Sequence, residues 1–158
     1  MKAKDLMRRD VVTCRHDVRL DIAARAMRER DCGAVPVVDR DGRLVGMITD
    51  RDICMAALTK GKRLDEILVE PVMTNSPRYC RPDDSIAEVL LVMREGQVRR
   101  FPIVQDERRV VGIISMNDLA RQADRELTGA VQQQVGTGAV MRTLATICAH
   151  QRQSAVQS

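Results

Sequence analysis

Polar and apolar positions along this chain follow one scheme twice. Leu20, Ala23, Ala24 and Met27 fall at i, i+3, i+4 and i+7, the spacing of one helix face, and predict a helix from Arg19 to Arg30 with Asp17 as its N-cap. The short apolar run Val11–Thr13 predicts a strand ahead of it, and Gly33 marks the end of the helical region. Ala34–Val38 and Leu44–Thr49 are β-branched runs joined by Asp39–Gly42, whose Asp-Gly step signals a hairpin turn. A helix from Asp50 to about Leu58 closes the unit.

The same order returns downstream. Arg78–Cys80 is the short strand, and Ser85–Glu95 is a helix with Ile86, Val89, Leu90 and Met93 inward. Phe101–Val104 and Val110–Ile114 pair around Gln105–Arg109, and a closing helix starts near Met116 and runs toward Leu127. An offset of 66 residues, the one that carries Met7 onto Met73, superposes the halves without a gap. It places Cys14-Arg15 on Cys80-Arg81, Met27-Arg28-Glu29 on Met93-Arg94-Glu95, Pro36 on Pro102 and Val45-Gly46 on Val111-Gly112.

The chain therefore reads as α/β in class: two β-α-β-β-α repeats, over 1–63 and 64–127, packed about a pseudo-two-fold axis, then a tail over 128–158. A unit of about 60 residues is marginal alone, which predicts face-to-face packing of the twins. In the connection, Leu64–Val69 predicts a short helix stopped by Pro71. The tail has a Gln-rich stretch, Gly136-Thr137-Gly138, and an amphipathic pattern of Val140, Leu144, Ile147 and Cys148. It predicts a break and a second helix, docked on the core or on a partner, or frayed.

Composition narrows the function. Tyr79 and Phe101 are the only aromatic residues among 158, too few for a platform that stacks single-stranded nucleic acid. The net charge of +4 is mild and its acidic residues are interspersed, so the balance suits small anionic ligands better than DNA. Arg8-Arg9, Arg99-Arg100 and Arg108-Arg109 would serve DNA only if they shared a face. The five cysteines, Cys14, Cys32, Cys54, Cys80 and Cys148, form no C-x-x-C and no disulfide framework. Cys14 and Cys80 are either buried apolar residues or a thiol or metal site helped by His16; no metal is assigned. Met27, Met47, Met93 and Met141 read as core filler. No apolar run reaches the length of a bilayer span and no signal peptide is visible, so a cytoplasmic protein without membrane partners is expected.

Four segments carry a family resemblance: Gly33-Ala34-Val35-Pro36-Val37-Val38-Asp39, Leu44–Ile53, Val98–Val104 and Val110–Leu119. In this order and at one period they resemble a tandem pair of cystathionine-β-synthase-type (CBS) domains, a Bateman module, over roughly Ala3 to Arg125. The chain is similar to the small bacterial members of hypoxic-response type, which carry no catalytic domain. The resemblance implies a regulatory module that binds an adenine nucleotide between the repeats, pairs as a homodimer and signals to an effector protein. The alternative is a thiol- or metal-responsive stress protein without a nucleotide ligand. No nucleophile–base pair, metal cluster or Walker-type loop points to an enzyme.

The family pattern Gly-x-x-[Thr/Ser]-x-x-Asp reads Gly46…Thr49…Asp52 and Gly112…Ser115…Asp118. A hydroxyl and free N–H groups at a helix start can hold phosphate, and an Asp three residues on offers two acceptors to a ribose diol. The same spacing is a helix capping box, and both roles can coexist. The resemblance further implies adenine against Cys32, Gly33 and Ala34 in one site and Val98, Arg99 and Arg100 in the other. Val11-Val12 and Pro77-Arg78 would close the pockets. Gly33 either admits close backbone approach or caps a helix. Arg51 could hold phosphate, but Asn117 stands at its twin position, so the two sites are expected to differ.

Overall fold

The chain builds two sheets that share one plan. In the computed structural model, which describes residues 1–149, α1 (Ala3–Leu6) leads into β1 (Cys14–Arg15), α2 (Leu20–Glu29), β2 (Ala34–Val38), β3 (Leu44–Thr49) and α3 (Asp50–Lys60). A 3-10 turn (Leu64–Glu66) and β4 (Thr74–Asn75) follow, then α4 (Ile86–Gly96), β5 (Arg100–Gln105), β6 (Arg109–Ser115), α5 (Met116–Leu127) and α6 (Thr137–Cys148). The first sheet runs β1-β2-β3-β4, with β1 parallel to β2 and the other pairs antiparallel. In the second, β5 and β6 pair antiparallel, Cys80 bridges Ile103 in parallel, and Arg8 bridges Ile113 antiparallel. Each of these pairs is the 66-residue counterpart of one in the first sheet.

Both hairpins and all four repeat helices lie where the apolar pattern predicts them, because β-branched runs bounded by turn residues leave little choice. The Asp39 carboxylate accepts from the N–H groups of Asp41 and Arg43, both at 2.9 Å, and Gly42 takes φ 77°, which fixes the first turn. Three expectations fail. The first short strand is Cys14–Arg15 rather than Val11–Thr13, and its twin shrinks to the Cys80 bridge. Pairing requires a neighbour, and β2 offers Val37 and Val38 to Cys14 and Arg15. Asp17 does not cap α2: it pairs with Arg15, and Arg19 holds the N-cap position with no side-chain bond. Gly33 ends no helix, since α2 stops at Glu29 and Asp31 supplies the left-handed residue at φ 47°.

The N-terminus of α2 is satisfied from the connection instead. Leu20 N–H donates to the Ile67 carbonyl at 2.9 Å, and Val69 N–H donates to the Val18 carbonyl at 2.9 Å. The twin contacts run from Ile86 N–H to the Met1 carbonyl and from Ala3 N–H to the Asp84 carbonyl, at 3.3 and 2.8 Å. Each repeat is thus completed by the segment that precedes the other. Ile67 and Val69 belong to the first core, with Leu20, Ala23, Met27, Val35, Val37 and Ile48. Ala3 and Met7 belong to the second, with Val89, Met93, Phe101, Ile103, Ile114 and Leu119.

The tail docks on the second repeat. Glu126 accepts from the N–H groups of Val135 and Gly136 at 3.0 and 3.1 Å, folding the loop back, and α6 lies against α4 and α5. Its buried line is Val140 and Thr143, which leaves Met141 58% exposed, so that methionine is surface rather than core. Residues 150–158 of the expected tail, His150 among them, lie outside the described residues. Among the described residues no helix is long and apolar enough to cross a membrane.

Candidate functional site

A hydrogen-bonded carboxylate stands at the start of each closing helix. Thr49 N–H and hydroxyl donate to Asp52 Oδ2 at 2.9 and 2.7 Å, and Asp52 N–H returns a bond to Thr49 Oγ1 at 3.1 Å. Ser115 and Asp118 repeat this at 2.9, 2.5 and 3.3 Å. Both pairs are therefore capping boxes, each consuming one carboxylate oxygen and leaving the other.

The remaining oxygens meet different surroundings. Asp52 Oδ1 makes no hydrogen bond to a described residue. Asp118 Oδ1 accepts from Arg8 Nε at 3.2 Å and from an Arg121 Nη at 2.5 Å, and the Asp118 side chain is only 6% exposed. A carboxylate so buried needs such partners, because an unpaired charge out of water is costly.

Asp118 lies on a cavity of about 360 Å³ that both repeats line. The first contributes Val11, Val12, Cys32 and Ala34, and the second contributes Arg100, Ser115 and Asp118. These seven predicted site residues converge, although the sequence places Ala34 and Ser115 far apart. Residues that sequence reasoning did not assign to the site join them: Arg8, Asp10, Arg30, Asp31 and Arg121. Arg121 was legible, one helical turn beyond Asp118. Arg8 was not, since 110 residues separate it from its partner and its repeat twin is Thr74.

The cavity is basic but largely paired. Arg30 binds Asp10 at 2.6 Å, while Arg8 and Arg121 share Asp118. Arg100 and Asp31 make no ion pair with a described residue. Four arginines against three aspartates leave one positive charge in excess.

The other predicted residues lie elsewhere. Gly33 borders a separate hollow between α2 and α3 with Asp31, Cys32 and Asp50. A Cβ on it would stand 2.9 Å from Asp50 Oδ2, so a larger residue there requires the Asp50 carboxylate to shift. Thr49, Arg51, Asp52, Pro77, Arg78, Val98 and Arg99 do not line the shared cavity. Pro77 is buried, Arg78 pairs with Glu95 at 3.4 Å, and Arg99 lends its carbonyl to Met116 N–H at 2.8 Å. The arginine pairs scatter: Arg8 is held by Asp118, and Arg108 lies 5.1 Å from the Tyr79 ring centre.

Cys14 and Cys80 occupy the two separate cores. Burial pushes the Cys14 thiol up to about 11; burial, then Asp84 and Glu88, push Cys80 up to about 12. Both stay protonated thiols near neutral pH, which suits apolar packing and not thiolate chemistry. Among the described residues no group of three or more His, Cys, Asp or Glu is arranged to hold a metal ion. Alkylation of the native protein followed by peptide mapping should label exposed Cys54 and spare Cys14 and Cys80 until unfolding. Rapid native labelling of Cys14 or Cys80 would restore the thiol reading.

Two sheets of one plan, with a cavity lined from both repeats, define a tandem-repeat α/β fold. The family model described as "CBS domain" matches residues 3–59 and again 69–125, and the chain belongs to that family. Hypoxic response protein 1 of Mycobacterium tuberculosis is 40% identical over 119 residues, 75% of this chain and 82% of that protein. The crystal structure of Hypoxic Response Protein I with two coordinated zinc ions superposes with a TM-score of 0.70 at 39% identity, covering 77% of this chain and 98% of that one. The CBS domain pair of protein MJ0100, in complex with 5′-methylthioadenosine and S-adenosyl-L-methionine, gives 0.69 at 30% identity, with coverage of 77% and 98%.

Proposed function

We propose that this chain is a non-catalytic regulatory module that binds an adenine nucleotide (AMP, ADP, ATP or a dinucleotide) between its repeats. The observation that carries this reading is the convergence of Val11, Val12, Cys32 and Ala34 with Ser115, Asp118 and Arg100 around one cavity. Apolar side chains and backbone from the first repeat supply a slot for a flat base. The Ser115 hydroxyl, the start of α5 and the surrounding guanidiniums supply acceptors and charge for ribose and phosphate. That the related MJ0100 pair is complexed with adenosine compounds supports the same ligand class. The pseudo-two-fold carries a second site onto Thr49, Asp52, Arg51, Pro77, Arg78 and Val98, with a different charge pattern. Ligand in the cleft shifts the packing of one repeat on the other and signals to an effector protein in the cytoplasm. Two copies pair as a homodimer through α2 and α3 of the first repeat, where Ile22 and Leu58 are exposed.

Zinc in the relative raises a metal-responsive reading. The described donors do not fit it, because Cys14 and Cys80 lie in different cores and no three or more His, Cys, Asp or Glu among the described residues are grouped to hold a metal ion. The nucleotide reading is tested by calorimetric titration of ligand-stripped protein with AMP, ADP, ATP, NAD and S-adenosylmethionine. Saturable heat that Asp118→Ala removes, with Asp52→Ala reporting on the second site, is the expected result. No heat from any ligand would reduce both pairs to helix caps.

A further inference from the structure

Asp118 is already spoken for. Its Oδ2 is fixed by Ser115, so only Oδ1 is left for a ribose diol, and there Arg8 and Arg121 both sit. The arginines come from opposite ends of the chain. Arg121 rides on α5 one turn beyond Asp118. Arg8 is fixed by its backbone, which exchanges two 3.0 Å hydrogen bonds with Ile113 on β6. Their side chains are 63% and 59% exposed, so water can receive them and the carboxylate can be uncovered. Arg100 faces the same cavity with no ion pair of its own.

The geometry points to Arg8 and Arg121 as a selectivity latch on the Asp118 site, which makes it take phosphorylated adenosine ligands and resist uncharged or cationic ones. This rests on the nucleotide reading above. A ribose that takes Asp118 Oδ1 releases two guanidiniums beside Arg100. A ligand phosphate re-pairs them by charge-assisted bonds, so the ion pairs lost are replaced in kind. A neutral adenosine must displace the same two cations and offers them nothing, and a sulfonium repels them as well. The latch thus imposes one displacement cost on every ligand and refunds it to anions alone. The twin site has no such device. The counterparts of Arg8 and Arg121 are Thr74 and Met55, and Asp52 Oδ1 is unbonded among the described residues.

The test is an exchange of twins. Arg8→Thr with Arg121→Met installs residue types that the fold already carries at equivalent positions. Thermal unfolding confirms that the variant is folded, and Asp52→Ala in all samples silences the other site. Calorimetric titration with ATP and with 5′-methylthioadenosine should show the parent preferring ATP. In the double variant methylthioadenosine affinity should rise at least about tenfold, the scale of one charge-assisted hydrogen bond, while ATP affinity changes much less, so the preference for ATP shrinks. Arg121→Lys alone, which keeps the charge, should retain most of the preference for ATP. An unchanged ratio of the two affinities in the double variant, or an equal fall in both, overturns the latch and leaves the nucleotide site standing. Absence of binding by either ligand to the parent overturns the nucleotide reading and the latch with it.

Discussion

Phe101→Ala should lower stability by about 3–5 kcal/mol, a large share of the roughly 5–15 kcal/mol that holds a domain of this kind together. Phe101 is the one phenylalanine in the chain, is 1% exposed, and faces Ile114 across the β5–β6 hairpin. The core around it is aliphatic: Ile86, Val89, Leu90, Met93, Ile103 and Leu119 surround the space that the ring fills. Branched aliphatic side chains already in their rotamers close poorly over so large a void, so both the transfer and the cavity contributions are lost together. The twin position holds Val35, which is fully buried, so the backbone accepts valine there and Phe101→Val should cost less than alanine. Thermal melts should show a drop of roughly 8–16 °C for Phe101→Ala. A drop of only a degree or two would mean that the second core has room to collapse.

Gly112→Ala and Gly46→Ala should each cost about 1–3 kcal/mol, for a reason confined to the exchanged segments. Neither glycine has a left-handed backbone, so only space is at issue. A Cβ on Gly112 would overlap Met7 Sδ and stand 2.9 Å from its Cγ. A Cβ on Gly46 would lie 2.5 Å from Met73 Sδ and 3.0 Å from the Thr74 carbonyl oxygen. Met7 therefore wedges against the second sheet as Met73 wedges against the first. Trimming the wedge should rescue one case better than the other. Met7→Ala meets only side-chain overlap and should recover much of the Gly112→Ala loss. Met73→Ala leaves the Thr74 carbonyl in place and should recover less. Denaturant melts of the four variants and the two doubles measure the coupling. Strict additivity in both pairs would mean that the methionines move aside freely.

Most of the fold was legible because the same pattern is written twice. β2, β3, β5 and β6 and the repeat helices follow from apolar period and turn chemistry alone. The losses have a common cause. Asp17 resembles a helix cap, but the donor it would have satisfied, Leu20 N–H, is taken by the Ile67 carbonyl from a segment 47 residues downstream. The strand expected at Val11–Thr13 moved to Cys14–Arg15 because a partner strand decides which residues pair. At the candidate site, the spacing of Ser115 and Asp118 announced a capping box, and only the family resemblance pointed to them, with Val11, Val12, Cys32, Ala34 and Arg100, as lining one pocket. What could not be read was that Arg8, whose repeat twin is a threonine, reaches Asp118. A one-dimensional offset reports what the halves share and is silent on what one half alone has acquired.

The exchanged lead segments also set an order of events during synthesis. Ala3 and Met7 are made about 80 to 110 residues ahead of Ile86, Gly112 and Ile114, against which they belong. The segment Lys2–Arg9 must therefore remain undocked while the first repeat, with its own lead partner Ile67–Met73 soon at hand, folds ahead of it. Contacts of such long separation are paid for late, after shorter loops have closed. The Arg8–Asp118 ion pair, which joins positions 110 residues apart, forms only once α5 has been made, so the cleft acquires its full charge pattern late.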